Sequence, residues 1–337
     1  MNLYYILQKK MLFKRISYFN SKMGIRGLNT IIKRVAPDAI KHFDISKYKN
    51  CKLAIDCSIL LYKFKYASRV ENSHLVGLAN RIKFYLMNEI LPIFVFDGIP
   101  PDAKKTTLDK RHANREKLYI RLEELRKIVP SSESEKKYIE EEIERILSQL
   151  IVIKKSDVDE SKELLAKAGI PYCVAPEDAE KYCAFLQKNG LVDYTVTDDT
   201  DASTFGCPCI LKTSINNNII EIDTNLILEK FEMSQDSFVD FCILSGCDYT
   251  IPIPQIGPVT SFNLIKKHGC IEEILKTLPK EHPRFDYTVC RKIFKEFNYE
   301  IPESFKKTEV NKQILLDFLK KHSFRENVVS KFIKVLF

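Results

Sequence analysis

Three short apolar runs in this chain each give way to aspartate, and that recurrence restricts the fold more than any other feature. Cys51–Cys57 has the length and apolar content of a buried strand and carries Asp56 near its carboxyl end. Pro92–Phe96 is a second run of this kind, followed at once by Asp97 and Gly98. Tyr194–Val196 is the third, and Asp198, Asp199 and Asp201 follow it closely. Open α/β sheets place their ligands in the crevice outside the carboxyl ends of the strands. Crowding so much negative charge at a strand end is unfavourable unless a cation compensates it. A solvated acidic loop with Asp caps and a divalent-metal site each account for any one of these acids taken alone.

Around these runs the apolar spacing is helical. Asn29–Val35, Ser58–Ser68, His74–Glu89 and Ser156–Ala168 read as helices, the last with Gly169 as its C-cap. From Lys104 to Lys155 glycine is absent and Lys, Arg and Glu dominate, broken only near Pro130-Ser131-Ser132, which predicts two long polar helices. Lys104, Leu108, Arg111 and Arg115 fall at three- and four-residue steps, so the three basic residues share a face. Ile170–Val174 reads as a strand, and the next helix begins with Asp178 and Glu180 in its first turn, where acids also suit the helix dipole. Pro208–Lys212 and Ile219–Ile222 are further strands. Ser234–Ser245 is a helix entering Gly246-Cys247-Asp248-Tyr249. Ile256-Gly257-Pro258 then turns into an apolar helix ending near Lys267, and free N–H groups at such a helix start suit a phosphate. Ile271–Leu278, Asp286–Phe297, Glu309–Lys321 and Phe324–Leu336 are four more amphipathic helices. The expected fold class is α/β, with a central, mainly parallel sheet flanked by helices.

At 337 residues the chain is long enough for one large core or a core with a satellite. The net charge of +8 permits a polyanionic partner. Ten cysteines in a chain of this length do not make a disulfide scaffold, and Cys207-Pro-Cys209 lacks the second pair that a zinc site needs. No apolar run reaches membrane-spanning length, and no membrane partner is expected. Residues 1–22 hold five basic residues and no acid, the character of a targeting segment, an upstream start or a short basic tail.

Seven acids form one candidate constellation: Asp56, Asp97, Asp178, Glu180, Asp199, Asp201 and Asp248. Carboxylates without His or Cys favour Mg²⁺ or Mn²⁺ over Zn²⁺. Two such ions ~4 Å apart activate a water and neutralise the leaving oxygen of an in-line phosphodiester displacement.

Read in order, these residues resemble the flap endonuclease family of structure-specific nucleases. The resemblance runs from Met23-Gly24-Ile25-Arg26-Gly27-Leu28 to the last helices. It includes Ala54-Ile55-Asp56, Val95-Phe96-Asp97-Gly98-Ile99-Pro100-Pro101, Gly169-Ile170-Pro171-Tyr172, Ala175-Pro176, Thr204-Phe205-Gly206 and Ile256-Gly257-Pro258. It implies a PIN-like nuclease core, a helical arch that threads a single-stranded flap, and a helix–two-turn–helix element that grips duplex DNA with a potassium ion. It also implies two Mg²⁺ ions per site, with Mn²⁺ able to substitute. Asp56, Asp97, Glu180, Asp199, Asp201 and Asp248 match the metal-site acids, and position 178 is Asp where the family has Glu. Lys104 and Arg111 match the catalytic cations at the arch base, and Tyr62 the aromatic on which an unpaired nucleotide stacks; Arg115, on the same basic face, is expected to contact DNA. Gly24 matches an N-terminal glycine whose free amine lies near the active site, which predicts a functional chain beginning there after loss of Met23. Gly257 belongs to the duplex-gripping turn, where Gln255 replaces the glycine usual in the family.

The expected organisation is an N-terminal extension (1–22), an N-terminal nuclease region with the start of the arch (23–130), an internal nuclease region (131–250), and the helix–two-turn–helix with C-terminal helices (251–337), packed as one unit with the core. The expected activity is Mg²⁺-dependent 5′-flap cleavage, with 5′-exonuclease activity, by a monomer acting on DNA flaps and junctions in replication and repair. The last residues to Phe337 do not spell the family's sliding-clamp motif, so recruitment through that motif is not expected. Alternatives are an exonuclease-type or Holliday-junction-type relative, and a weakly catalytic junction-binding protein. The family implies a nuclear enzyme in a cell, a cytoplasmic replication site for a virus, and a mitochondrial one if residues 1–22 are a transit segment.

Overall fold

Seven strands form one twisted sheet: β1 (Ile40–Asp44), β2 (Lys52–Asp56), β3 (Leu91–Phe96), β4 (Tyr172–Val174), β5 (Tyr194–Val196), β6 (Cys209–Thr213) and β7 (Asn218–Asp223), in the order β1-β7-β6-β5-β2-β3-β4. This computed structural model describes residues 24–68, 70–213, 218–279, 282 and 284–337; the extension expected at 1–22 and the processing site at Met23 lie outside the described residues. The contiguous strands β6-β5-β2-β3-β4 are parallel, and only β7 runs antiparallel to β6 and β1. Ala54 pairs with both Ile93 and Thr195, so the three runs that end in acids stand side by side in register with their carboxyl ends together.

The strands are apolar on both faces because both are covered. Leu53 and Ile55 of β2 and Phe94 and Phe96 of β3 face a core built from the helices Cys57–Ala67, Ser73–Met87, Lys155–Lys167, Lys312–Lys321 and Glu326–Leu336. The alternate residues Ala54, Ile93 and Val95 face the helix Ala179–Lys188. Ile210 and Ile222, on the same side but nearer β1, pack with the helices Leu28–Val35, Thr224–Phe231, Gln235–Ser245, Pro258–His268 and Tyr287–Lys295. The C-terminal region therefore divides, its first helices serving one face of the sheet and its last two the other. Lys105–Lys127 and Glu133–Gln149 stand out from this body as an arch with its own small core of Leu122, Leu125, Ile139, Ile146 and Leu150.

β1 has no counterpart in the sequence reading, because it is an edge strand with only Ile40 and Phe43 partly buried and makes no apolar run. The strand expected at 170–174 begins only at Tyr172, since Ile170 still donates to the carbonyl of Leu165 at the preceding helix end.

Candidate metal centre and nucleic-acid cleft

The parallel strand ends deliver their acids to one cleft. Its walls include Asp56, Tyr62, Asp97, Lys104, Arg111, Arg115, Glu180, Asp199 and Asp248. Among the described residues, Glu180, Asp199 and Asp201 bring carboxylate oxygens within 4.8 Å of one another, the spacing of a shared cation. Glu180 lies in the first turn of Ala179–Lys188, and Asp201 opens the short helix Asp201–Thr204.

Local hydrogen bonds aim each carboxylate. Asp56 caps the helix Cys57–Ala67 by accepting from Ser58 N–H at 3.1 Å, while its other oxygen accepts from the Thr197 hydroxyl at 3.0 Å. The same Thr197 oxygen accepts from Asp199 N–H at 3.1 Å. Asp97 accepts from Ala179 N–H at 2.9 Å, so one acid fixes the start of the helix that presents Glu180. Asp199 Oδ1 accepts from Asp201 N–H at 3.0 Å, and Asp201 Oδ1 accepts from Ile25 N–H at 2.5 Å. Gly24 lies against the same acids with φ +77°, and a Cβ there would stand 2.7 Å from Asp201 Oδ1.

Burial dominates the electrostatics. It pushes the Asp56 carboxyl up to about 7, with the neighbouring Asp97 adding to it. Burial raises Glu180 and Asp201 well above their ordinary values and raises Asp199 as well, and Asp201 is lifted further by Asp199. Four such groups cannot all be charged together without a cation among them. The donors are all carboxylate oxygens, a set that fits hard divalent ions.

Two cations close the cleft from the arch. Lys104, at the arch base, donates to Asp178 Oδ1 at 2.7 Å, and Arg111, two turns on, pairs with Asp248 at 2.7 Å. Burial opposes the charge on Lys104, but Glu180, Asp178 and Asp248 outweigh it and hold the ammonium above its ordinary value. Tyr62 lies across the cleft with its hydroxyl 3.4 Å from the Ser148 carbonyl of the second arch helix and its ring stacked on Tyr66.

The expected residues do not all meet. Asp178 stands apart from the three-acid cluster and engages Lys104 and, at 2.8 Å, the Tyr249 hydroxyl. Gly257 is outside the cleft, at the N-cap of Pro258–His268, with Pro258 packed on Gly27. Gln255 takes φ +66°, the left-handed conformation that a glycine accepts freely. Asp198, next to Asp199, pairs with Lys63 and accepts at its carbonyl from Lys212 Nζ at 2.9 Å. Sequence reasoning missed Thr197, Tyr249, Lys63 and Lys212; of these only Tyr249 and Thr197 carried a signal, each lying within two residues of a candidate acid.

The matched families agree with this geometry. Residues 23–118 match the XPG N-terminal domain and residues 169–248 the XPG I-region. The chain is 36% identical to human flap endonuclease 1 over 319 residues, covering 88% of this chain and 82% of that one. It is 34% identical to flap endonuclease 1-A of Sorghum bicolor, covering 93% of this chain and 86% of the relative. Among solved structures, the catalytic core of Rad2 in complex with DNA substrate superposes with TM-score 0.72 at 23% identity, over 93% of this chain and all of that one. Flap endonuclease-1 from Methanococcus jannaschii superposes with TM-score 0.66 at 24% identity, over 88% and 95%. The chain belongs to the XPG family of nucleases, among its flap endonucleases.

Proposed function

We propose that this chain is a Mg²⁺-dependent 5′-flap endonuclease, with 5′-exonuclease activity, that cuts phosphodiester bonds at single-strand/duplex junctions of DNA. The observation that carries the reading is the convergence of Glu180, Asp199 and Asp201 beneath an arch base that holds Lys104 and Arg111. Asp56, Asp97, Asp248 and the three clustered acids would hold two Mg²⁺ ions, with Mn²⁺ able to substitute. Bound there, such ions would supply Lewis acidity for the attacking water and the leaving oxygen. Lys104 and Arg111 stabilise charge on the scissile phosphate from the arch side. Tyr62 offers its face to the unpaired nucleotide, a contact worth ~1–3 kcal/mol that tolerates any base. Arg115 tracks the flap backbone, and Gly24, packed against Asp199 and Asp201, brings the start of the folded chain to the acids. The turn at Gly257, at the start of Pro258–His268, would hold the duplex beyond the cut and is where a potassium ion would bind.

The nuclease regions and the C-terminal helices, from residue 24 on, work as one monomeric body, in the nucleus during replication and repair. Junction shape and a free 5′ end select the substrate, since the contacts are to backbone and base faces. Incubation with a labelled 5′-flap duplex, a gapped duplex and a four-way junction, in Mg²⁺ or EDTA, tests this. A Mg²⁺-dependent cut near the flap base is expected; preferential cutting of the four-way junction, or no cut in Mg²⁺, would reject the reading.

A further inference from the structure

Asp178 differs from the other acids in what its oxygens touch. It sits at the N-cap of Ala179–Lys188 with φ −72° and ψ 136°, just outside the helical turn that carries Glu180. Oδ1 accepts from Lys104 Nζ at 2.7 Å and Oδ2 from the Tyr249 hydroxyl at 2.8 Å, so protein donors hold both oxygens. The side chain is buried, as is Tyr249. The Tyr249 ring stands edge-on to Phe294 with centroids 5.3 Å apart, and Phe294 packs on Phe205 at 5.0 Å. A continuous line of contacts therefore runs from the apolar core through Tyr249 and Asp178 to the ammonium of Lys104.

A free lysine side chain carries ~2 kcal/mol of rotamer entropy, which must be lost before it can act on a phosphate. Holding it in advance at the place where charge develops removes that cost from the reaction step. An ammonium has three donors. Asp178 takes one, which leaves the others for phosphate oxygens.

We infer that Asp178 and Tyr249 are positioning residues that hold Lys104 over the scissile phosphate, and that Asp178 is not a direct ligand of the ions. The inference rests on the reading of Lys104 as the cation that meets the phosphate. The test is a double-mutant cycle in the full chain: Tyr249→Phe and Asp178→Asn, each alone and with Lys104→Ala. Single-turnover cleavage of a 5′-flap duplex is measured, together with Mn²⁺ binding to the DNA-free protein by calorimetry. Tyr249→Phe should lower the saturating single-turnover rate constant about tenfold with the half-saturating enzyme concentration within about twofold, and should cost less than about twofold once Lys104 is already Ala. Both single variants should bind as many Mn²⁺ equivalents as the parent. A Tyr249→Phe penalty undiminished by Lys104→Ala, or a Mn²⁺ equivalent lost in Asp178→Asn, overturns the inference. Thermal melts establish that each variant is folded, and Asp178→Asn closes the same cycle should Tyr249→Phe fail to fold. A parent protein that cuts no flap rejects the function itself. The inference is then judged on the Mn²⁺ count and on the Lys104 ammonium resonance in ¹⁵N-lysine protein, which Tyr249→Phe must shift if the contact is real.

Discussion

The backbone N–H of Ile25 donates to Oδ1 of Asp201 across 2.5 Å, which ties the chain at residue 25 to the centre of an acidic cluster 176 positions later. The contact needs Gly24 to lie flat against the acids. Its φ of +77° and the 2.7 Å that would separate a Cβ from Asp201 Oδ1 leave no place for a side chain.

Gly24→Ala should therefore damage the site more than the fold. The left-handed backbone costs a non-glycine residue ~1–2 kcal/mol. Displacing Asp199 and Asp201 by an ångström can cost ~100-fold in rate. Single-turnover cleavage should fall by about that factor while the melting temperature drops by only a few degrees. Cleavage within about threefold of the parent would show that the chain at residue 24 does not govern the carboxylates.

The buried acids give the metal-free protein an inverted pH response. Asp56 titrates at about 7 and Glu180, Asp199 and Asp201 are also raised, so between their unfolded and folded values the folded state holds protons that the unfolded chain has released. Stability is then fully present below ~4 and declines as pH rises toward 7. In EDTA the melting temperature should be several degrees higher at pH 5.0 than at pH 6.5. This window lies below the values of about 7 and about 8 to which burial draws Lys63 and Lys212, so the lysines stay charged across most of it. Mg²⁺ should raise the melting temperature more at pH 6.5 than at 5.0. Equal melting temperatures in EDTA at the two pH values would mean that the acids are not charged against one another.

The sequence made the catalytic half of this molecule legible because the chemistry requires it to be local. Strands buried on both faces must be apolar throughout, and an acid that closes such a run stands out, as Asp56, Asp97 and Asp199 do. The arch was equally plain, since two exposed helices show as charge without glycine. What escaped was set by tertiary packing. β1 needs only two half-buried side chains, and nothing near Lys63 reveals that Asp198, 135 residues away, will meet it. Asp178 could be placed beside Glu180 by number, but only the fold shows that Tyr249 and Lys104 claim its two oxygens.

Gln255 carries strain that a single change relieves. At φ +66° a glycine avoids the ~1–2 kcal/mol left-handed penalty but loses ~0.5–1 kcal/mol through its freer unfolded state. Gln255→Gly should stabilise the protein slightly, by up to about 1 kcal/mol, and Gln255→Val should destabilise it by about 1–2 kcal/mol, because a β-branched residue tolerates this conformation least. Chemical denaturation of the three proteins checks the order Gly, Gln, Val; a Val variant as stable as the parent would mean that the turn does not require φ > 0.

Lys63 and Asp198 pair behind the clustered acids, with side chains about four-fifths buried at 22% and 17% exposure. Burial, with Arg81 and Lys212 nearby, lowers the Lys63 ammonium in spite of this partner. The pair closes the loop that carries Asp199 onto the helix that carries Tyr62, and Lys212 seals it through the Asp198 carbonyl. Removing one partner of such a pair leaves a charge without an answer, a loss of ~3–5 kcal/mol when burial is complete and less here, where both ends reach solvent. Lys63→Met should thus cost about 1–3 kcal/mol and weaken Mn²⁺ binding several-fold, because the freed carboxylate competes for the ion and loosens the loop. Lys63→Met with Asp198→Leu restores an apolar contact and should recover most of the stability, since hydrophobic replacements of both partners are often neutral. It should recover less of the Mn²⁺ affinity if the pair's role is to aim Asp199. Full recovery of both would make the pair a packing element only, and recovery of neither would place its effect in the Arg81–Lys212 surroundings.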